Sequence, residues 1–191
     1  MVNTNNFWSG FRVFGKLSGM ESLFCELIPK FKQVEQSNGR YYFNYYFGKD
    51  EGCRIGLCLN NSYKVLEEVR NLLISKKLNY CEYHNTNNEG DFDSVSETDA
   101  NKVSEQKSLL SYKYEGTKYA IKIMDDLMIN SQTFDSKKGE IAEKIKTEKP
   151  ALVNNYVLFH FVMNPLCFFK ERVVITKYDI EIEMIDIIKG S

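Results

Sequence analysis

From residue 7 to residue 84 the hydrophobic pattern changes period in a fixed order, and few folds accommodate that order. Phe7 to Leu17 reads as a strand closed by Ser18-Gly19. Met20, Leu23, Phe24, Leu27, Ile28 and Phe31 then recur at helical spacing and give one apolar face. Pro29 falls inside that pattern and is expected to kink the helix or divide it. Ser37-Asn38-Gly39 turns the chain into the aromatic strand Arg40 to Phe47, RYYFNYYF. In it Tyr41, Phe43, Tyr45 and Phe47 point one way, while Tyr42, Asn44 and Tyr46 point the other. Gly48 to Gly52 supplies a hairpin loop, and Cys53 to Leu59 forms the next strand, with Arg54 its single charge. Asn60-Asn61-Ser62 can cap a second helix whose face is Val65, Leu66, Val69, Leu72 and Leu73. Leu78 to His84 returns as a fourth strand.

Two strands joined by a short polar loop, set between two amphipathic helices, make a split βαβ pattern. Residues 1–84 are therefore expected to be a ferredoxin-like βαββαβ half-domain. Asn85 to Glu105 is polar and acidic with almost no apolar periodicity. Residues 85–102 accordingly read as a linker, or as a loop that closes over a ligand. Residues 103–191 are expected to be a helical portion that packs on the first as one globular unit. In it, a third helix from Gly116 to Asn130 presents Ala120, Ile123, Met124 and Leu127. Ser136 to Lys149 reads as an exposed helix, and Pro150 opens a buried one that Pro165 stops. Near the end, Ile180, Ile182 and Met184 alternate with Asp179, Glu181 and Glu183, which predicts a closing strand within 172–188. The expected class is mixed α/β (α+β).

A chain of 191 residues, 43% hydrophobic and 27% charged, buries a core without staples. Its formal net charge of −1 argues against a general nucleic-acid surface, which shows clustered Lys and Arg. Cys25, Cys53, Cys58, Cys81 and Cys167 form no C-x-x-C pair, and only His84 and His160 add imidazole ligands. No metal site is expected, and the thiols read as reduced, in a cytoplasmic protein. The start, MVNTNNFWSGF, has no basic stretch leading into an apolar run, so no secretory signal is expected. The most apolar segment, Val153 to Phe169, is interrupted by Asn154, Asn155, His160, Asn164 and Pro165 and reads as a buried helix, not a membrane span. No phosphate loop, dinucleotide fingerprint or Ser-His-Asp order appears, and no cofactor is expected.

Several stretches, taken in order, resemble one family. Phe7-Trp8-Ser9-Gly10-Phe11-Arg12-Val13 is a Trp-containing opening strand, and Leu23, Leu27, Ile28 and Pro29 give a Leu/Pro helix. YYFNYYFGKDEGCRIGLCL then joins an aromatic strand, a short loop and an Arg-bearing strand. Lys113-Tyr114-Glu115-Gly116 precedes a helix, Asn130-Ser131 follows it, and Val153 to Phe169 is apolar. Over residues 7–170 this order resembles the C-terminal elimination domain of lantibiotic dehydratases, shared with stand-alone thiopeptide-type bacteriocin biosynthesis proteins. Against that family's pattern, Tyr45 stands where an Arg-Tyr pair has its Arg. In the His-x-Arg-x-Arg strand Gly52 replaces the His, Arg54 matches the first Arg, and Gly56 replaces the second.

The resemblance implies maturation of a ribosomally made peptide natural product, with the chain acting on or holding the precursor. In the family, basic side chains are thought to hold a glutamyl carboxylate and help eliminate it from an esterified Ser or Thr. Such chemistry needs charge-assisted donors for the carboxylate and a group that moves the α-proton. A catalytic version would be a lyase or cyclase in which Arg54 binds anionic groups, Tyr45 donates a hydrogen bond and His160 moves a proton. Tyr41, Phe43, Tyr114 and Ser131 are the expected substrate-binding positions. Each residue also has a plain structural reading. Arg54 suits a strand surface, the aromatic strand suits a core, His160 suits a hydrogen bond inside a helix bundle, and Tyr114 and Ser131 suit helix ends. Whether the chain is an enzyme stays open beside a non-catalytic partner subunit and a ferredoxin-like binding or dimerisation module. The expected partners are the precursor peptide and a dehydratase subunit, with homodimerisation open. No membrane partner is expected, and an aminoacyl-tRNA-derived group is the one nucleic-acid exception.

Overall fold

The structure, a computed structural model, describes residues 8–15, 17–46, 52–59, 63–86, 100–130, 133–167 and 177–190. It divides into two compact units, Met1–Tyr114 and Glu115–Ser191. The first holds β1 (Trp8–Phe14), α1 (Leu17–Gln36), β2 (Arg40–Tyr46), β3 (Gly52–Cys58), α2 (Tyr63–Ser75) and β4 (Asn79–Thr86). The strands form one sheet in the order β2-β3-β1-β4, every neighbouring pair antiparallel. The chain is thus a mixed α/β protein, helical outside this one sheet among the described residues.

Register decides which side chains share a face, because side chains alternate along each strand. Phe43 opposes Ile55, Ile55 opposes Phe11, and Phe11 opposes Glu82. This row belongs to the face that α1 and α2 cover. Phe24 of α1 lies 4.6 Å from Phe43 between ring centroids, and Phe31 stacks on Tyr41 at 4.6 Å. The Met20 sulfur is 3.7 Å from the Cys53 thiol, both buried. From α2, Val65, Leu66, Val69 and Leu73 are buried, and Arg70 donates to both Glu82 carboxylate oxygens at 2.8 and 2.6 Å. Lys30 pairs with Glu68 at 2.7 Å and Lys76 with Glu26 at 2.6 Å, which ties the two helices together.

Pro29 neither ends nor divides α1. It removes a donor from the Cys25 carbonyl, and Pro29 and Cys25 both lie on the exposed side, where such a loss costs least. The expected turn at Asn38 is present, with φ at 55°, and Lys77 ends α2 in the same left-handed region at 54°.

The helix expected from Gly116 starts much earlier. This helix, α3, spans Ala100–Leu127, and the division between the units falls inside it, after Tyr114, rather than at residues 85–102. The second unit continues with a 3₁₀ turn at Asp135–Lys137, α4 (Lys138–Glu148), a 3₁₀ turn at Pro150–Asn154, α5 (Tyr156–Cys167) and α6 (Lys177–Lys189). The stretch expected to be an exposed helix buries Ile141, Ala142 and Ile145. Pro165 lies within α5 and does not stop it. Gly116 packs closely on that turn, since a side chain there would sit 2.8 Å from the Phe161 carbonyl oxygen.

The expected closing strand is a helix. In α6, Met184 and Ile188 are buried and lie four residues apart, while Ile182 is exposed. The alternation ends at Met184, and Ile185, Ile187 and Ile188 follow with the spacing of a helix face. Lys138 of α4 fixes α6 by donating to both Glu183 oxygens at 2.8 and 2.7 Å.

Candidate functional site

The sheet face turned away from α1 and α2 carries the polar side chains. Its rows run across the strands. Asn44 opposes Arg54, Arg54 opposes Arg12, and Arg12 opposes Cys81. Beside this row, Tyr42 opposes Gly56, Gly56 opposes Gly10, and Gly10 opposes Tyr83. A third row joins Arg40, Cys58 and Trp8. Three arginines from three strands therefore share one face.

Exposure rises along the arginine row. Arg54 is 4% exposed and Asn44 8%, Arg12 is half-buried, and Cys81 is exposed. Solvent therefore reaches the row from the β4 side. Directly opposed cations on adjacent strands repel, with side chains roughly 5 Å apart at Cβ. Arg54 and Arg12 stand in that relation, and the Arg12 guanidinium lies 5.1 Å from the Phe14 ring centroid. The Asn44 side-chain oxygen Oδ1 is buried and accepts no hydrogen bond among the described residues.

At the other end of the face the packing is apolar. Trp8, Tyr42, Cys58 and Leu110 of α3 form a cluster, with the Trp8 and Tyr42 ring centroids 5.5 Å apart. Lys113 lies 5.1 Å from the Tyr42 ring centroid and Arg40 5.8 Å from that of Trp8, each a cation–π contact. Burial pushes the Cys58 thiol up in pKa, and the neighbouring Arg40 charge opposes that shift. Gly56 is not open floor. A side chain there would run into the Tyr42 ring, which already covers the position, and at Gly52 it would meet the Val13 carbonyl. Both glycines thus mark tight packing, not room for a ligand to approach.

The residues expected to form one site are distributed otherwise. Tyr41, Phe43 and Tyr45 point to the helix-covered face, opposite to Arg54. Tyr45 lies 5.5 Å from Phe43 and is 3% exposed, so it belongs to the core. Tyr41 makes a long hydrogen bond, 3.4 Å, to Glu35 and meets Tyr114 edge-on at 5.5 Å. His160 belongs to the second unit, half-buried in α5 with its ring 5.3 Å from that of Phe161. Ser131 lies outside the described residues. Arg12 and Asn44, the two neighbours of Arg54, were not singled out by sequence. The hairpin contained the signal, since counting outward from its loop pairs Asn44 with Arg54.

Among the described residues no three His, Cys, Asp or Glu side chains are placed to hold a metal ion. Among them, too, no helix is long and apolar enough to cross a membrane. No protein-family model matches the sequence, and a search of curated proteins finds no match.

Proposed function

We propose that the first unit is a ferredoxin-like half-domain that holds an anionic stretch of a ribosomally made precursor peptide during bacteriocin or thiopeptide-type maturation. The fold part is supported by β3 lying between β1 and β2 and antiparallel to both, so that β1 and β2 run parallel with α1 crossing between them. The functional part rests on the motif order set out above and on one observation: Arg54 and Arg12 oppose each other across β3 and β1 on the face turned away from α1 and α2. Paired guanidinium groups favour carboxylate, which each can grip with parallel N–H bonds.

Holding suits these residues better than elimination. The reaction needs a proton-moving group and a leaving-group donor beside the bound anion. Tyr45, one candidate for that work, is committed to the core on the opposite face. In this reading the chain is a binding subunit, and a dehydratase subunit from another chain supplies the chemistry. Among the described residues Cys25, Cys53, Cys58 and Cys81 form no disulfide, which suits a reducing cytoplasmic setting.

The test is first whether a dehydratase and a short precursor are encoded beside its gene, and then to incubate the protein with that precursor after dehydratase treatment. Retention of the precursor with unchanged mass, weakened at least tenfold by Arg54→Gln and by added salt, is the expected result. A mass change produced by this chain alone restores the lyase reading. Full retention by the Arg54→Gln protein removes the site.

A further inference from the structure

The row Asn44–Arg54–Arg12 combines two kinds of recognition. The arginines are donors and take an anion. Asn44 is different, because its Oδ1 is an acceptor, nine-tenths buried, with no donor reaching it among the described residues. A buried acceptor left unserved costs free energy, and a native fold keeps one where something else serves it. The register puts Asn44 opposite Arg54 on the same face, in a row whose other members, Arg12 and Cys81, are half-buried and exposed.

We propose that Asn44 is a specificity-determining residue of this row, accepting an N–H that the ligand carries next to its anionic group. A peptide offers that combination where a backbone amide adjoins a chain-terminal carboxylate or an acidic side chain. Inorganic phosphate and simple carboxylates lack the N–H and satisfy the arginines alone. This inference rests on the anion-holding reading above and adds which anions are preferred.

The test compares N-acetylglycine with N-acetylsarcosine, a pair in which the amide N–H is replaced by N–CH₃ beside the same carboxylate. N-acetylglutamic acid α-amide serves as the side-chain arm. Binding to the full chain is followed by amide NMR shifts at millimolar ligand, including the Asn44 side-chain NH₂ signals. The wild-type protein is expected to prefer N-acetylglycine, or the glutamyl probe if the side-chain carboxylate is the source, over N-acetylsarcosine by about tenfold. Asn44→Leu, which removes the acceptor at similar volume, is expected to abolish the preference while keeping anion binding. Arg12→Gln, on the half-buried member of the row, is expected to weaken every probe. An unchanged preference in Asn44→Leu overturns the role of Asn44 but leaves the anion-holding reading intact. No shift in the row with any of the acids at millimolar concentration overturns both, as does binding that Arg12→Gln and Arg54→Gln leave intact.

Discussion

The two faces of the sheet are built from the same four strands and obey opposite rules. The face under α1 and α2 is aromatic and apolar across β2 and β3, with Tyr41, Phe43, Tyr45, Cys53, Ile55 and Leu57 all buried. Its charges sit at the margin and are paired, as Arg70 is with Glu82. The other face buries Arg54 beside Arg12 and leaves the Asn44 oxygen without a donor among the described residues. The first arrangement maximises stability. The second leaves a buried acceptor unserved among the described residues, which costs stability. Single residues on one strand, one position apart, therefore test the contrast.

Phe43→Ala carries the largest expected effect. The ring packs between Phe24 and Tyr45, and its loss leaves a cavity worth about 3–5 kcal/mol, measurable by urea denaturation. Its neighbour is the control. Asn44→Leu breaks no hydrogen bond and removes an unserved acceptor, so stability is expected to change by less than about 1 kcal/mol, or to rise. A loss as large as that of Phe43→Ala would erase the difference between the faces. Gly56→Ala comes next, at about 1–3 kcal/mol, because the new methyl must displace the fully buried Tyr42 ring. Combining it with Tyr42→Ala is expected to cost less than the sum of the two single changes, since the clash disappears with the ring. An additive result would show that Tyr42 does not pack on Gly56. Arg70→Ala breaks a bidentate but partly exposed pair at the margin, so about 0.5–1 kcal/mol is expected in the same assay.

Much of the first unit was legible because a period of two and a period of 3.6 leave different marks. The alternation in RYYFNYYF assigned each side chain of β2 to a face before any pairing was known. The sequence did not reveal which residues of β3 and β1 share those faces. That depends on register, and register placed Arg54 with Asn44 and Arg12 and not with Tyr45. The end of the chain shows the limit of periodicity. Asp179 to Met184 alternates well enough for a strand, but a strand needs backbone partners, and a short alternating run also fits a helix that buries Met184 and Ile188. The two prolines show a related limit, since neither divides or ends its helix. Pro29 lies on an exposed side of α1, and Gly116 packs on the turn before Pro165, and neither circumstance can be read from the proline itself.

Acid separates the faces most gently. Two carboxylates clamp α1 and α2 over the covered face, and both titrate below their ordinary range. A hydrogen bond from Lys76 lowers Glu26, and one from Lys30 lowers Glu68. A folded-state pKa below the unfolded one contributes stability that is present above the unfolded value of 4.5 and is lost as pH falls through the folded value. The loss on going from about pH 5 to pH 3 is therefore expected to be smaller in a Glu26→Gln/Glu68→Gln protein than in the parent, by no more than about 1 kcal/mol because both pairs are solvent-screened. If the Glu26→Gln/Glu68→Gln protein instead follows the acid profile of the parent, the acid-sensitive carboxylates lie away from the clamp between α1 and α2, and that margin contributes nothing to the acid response of the covered face.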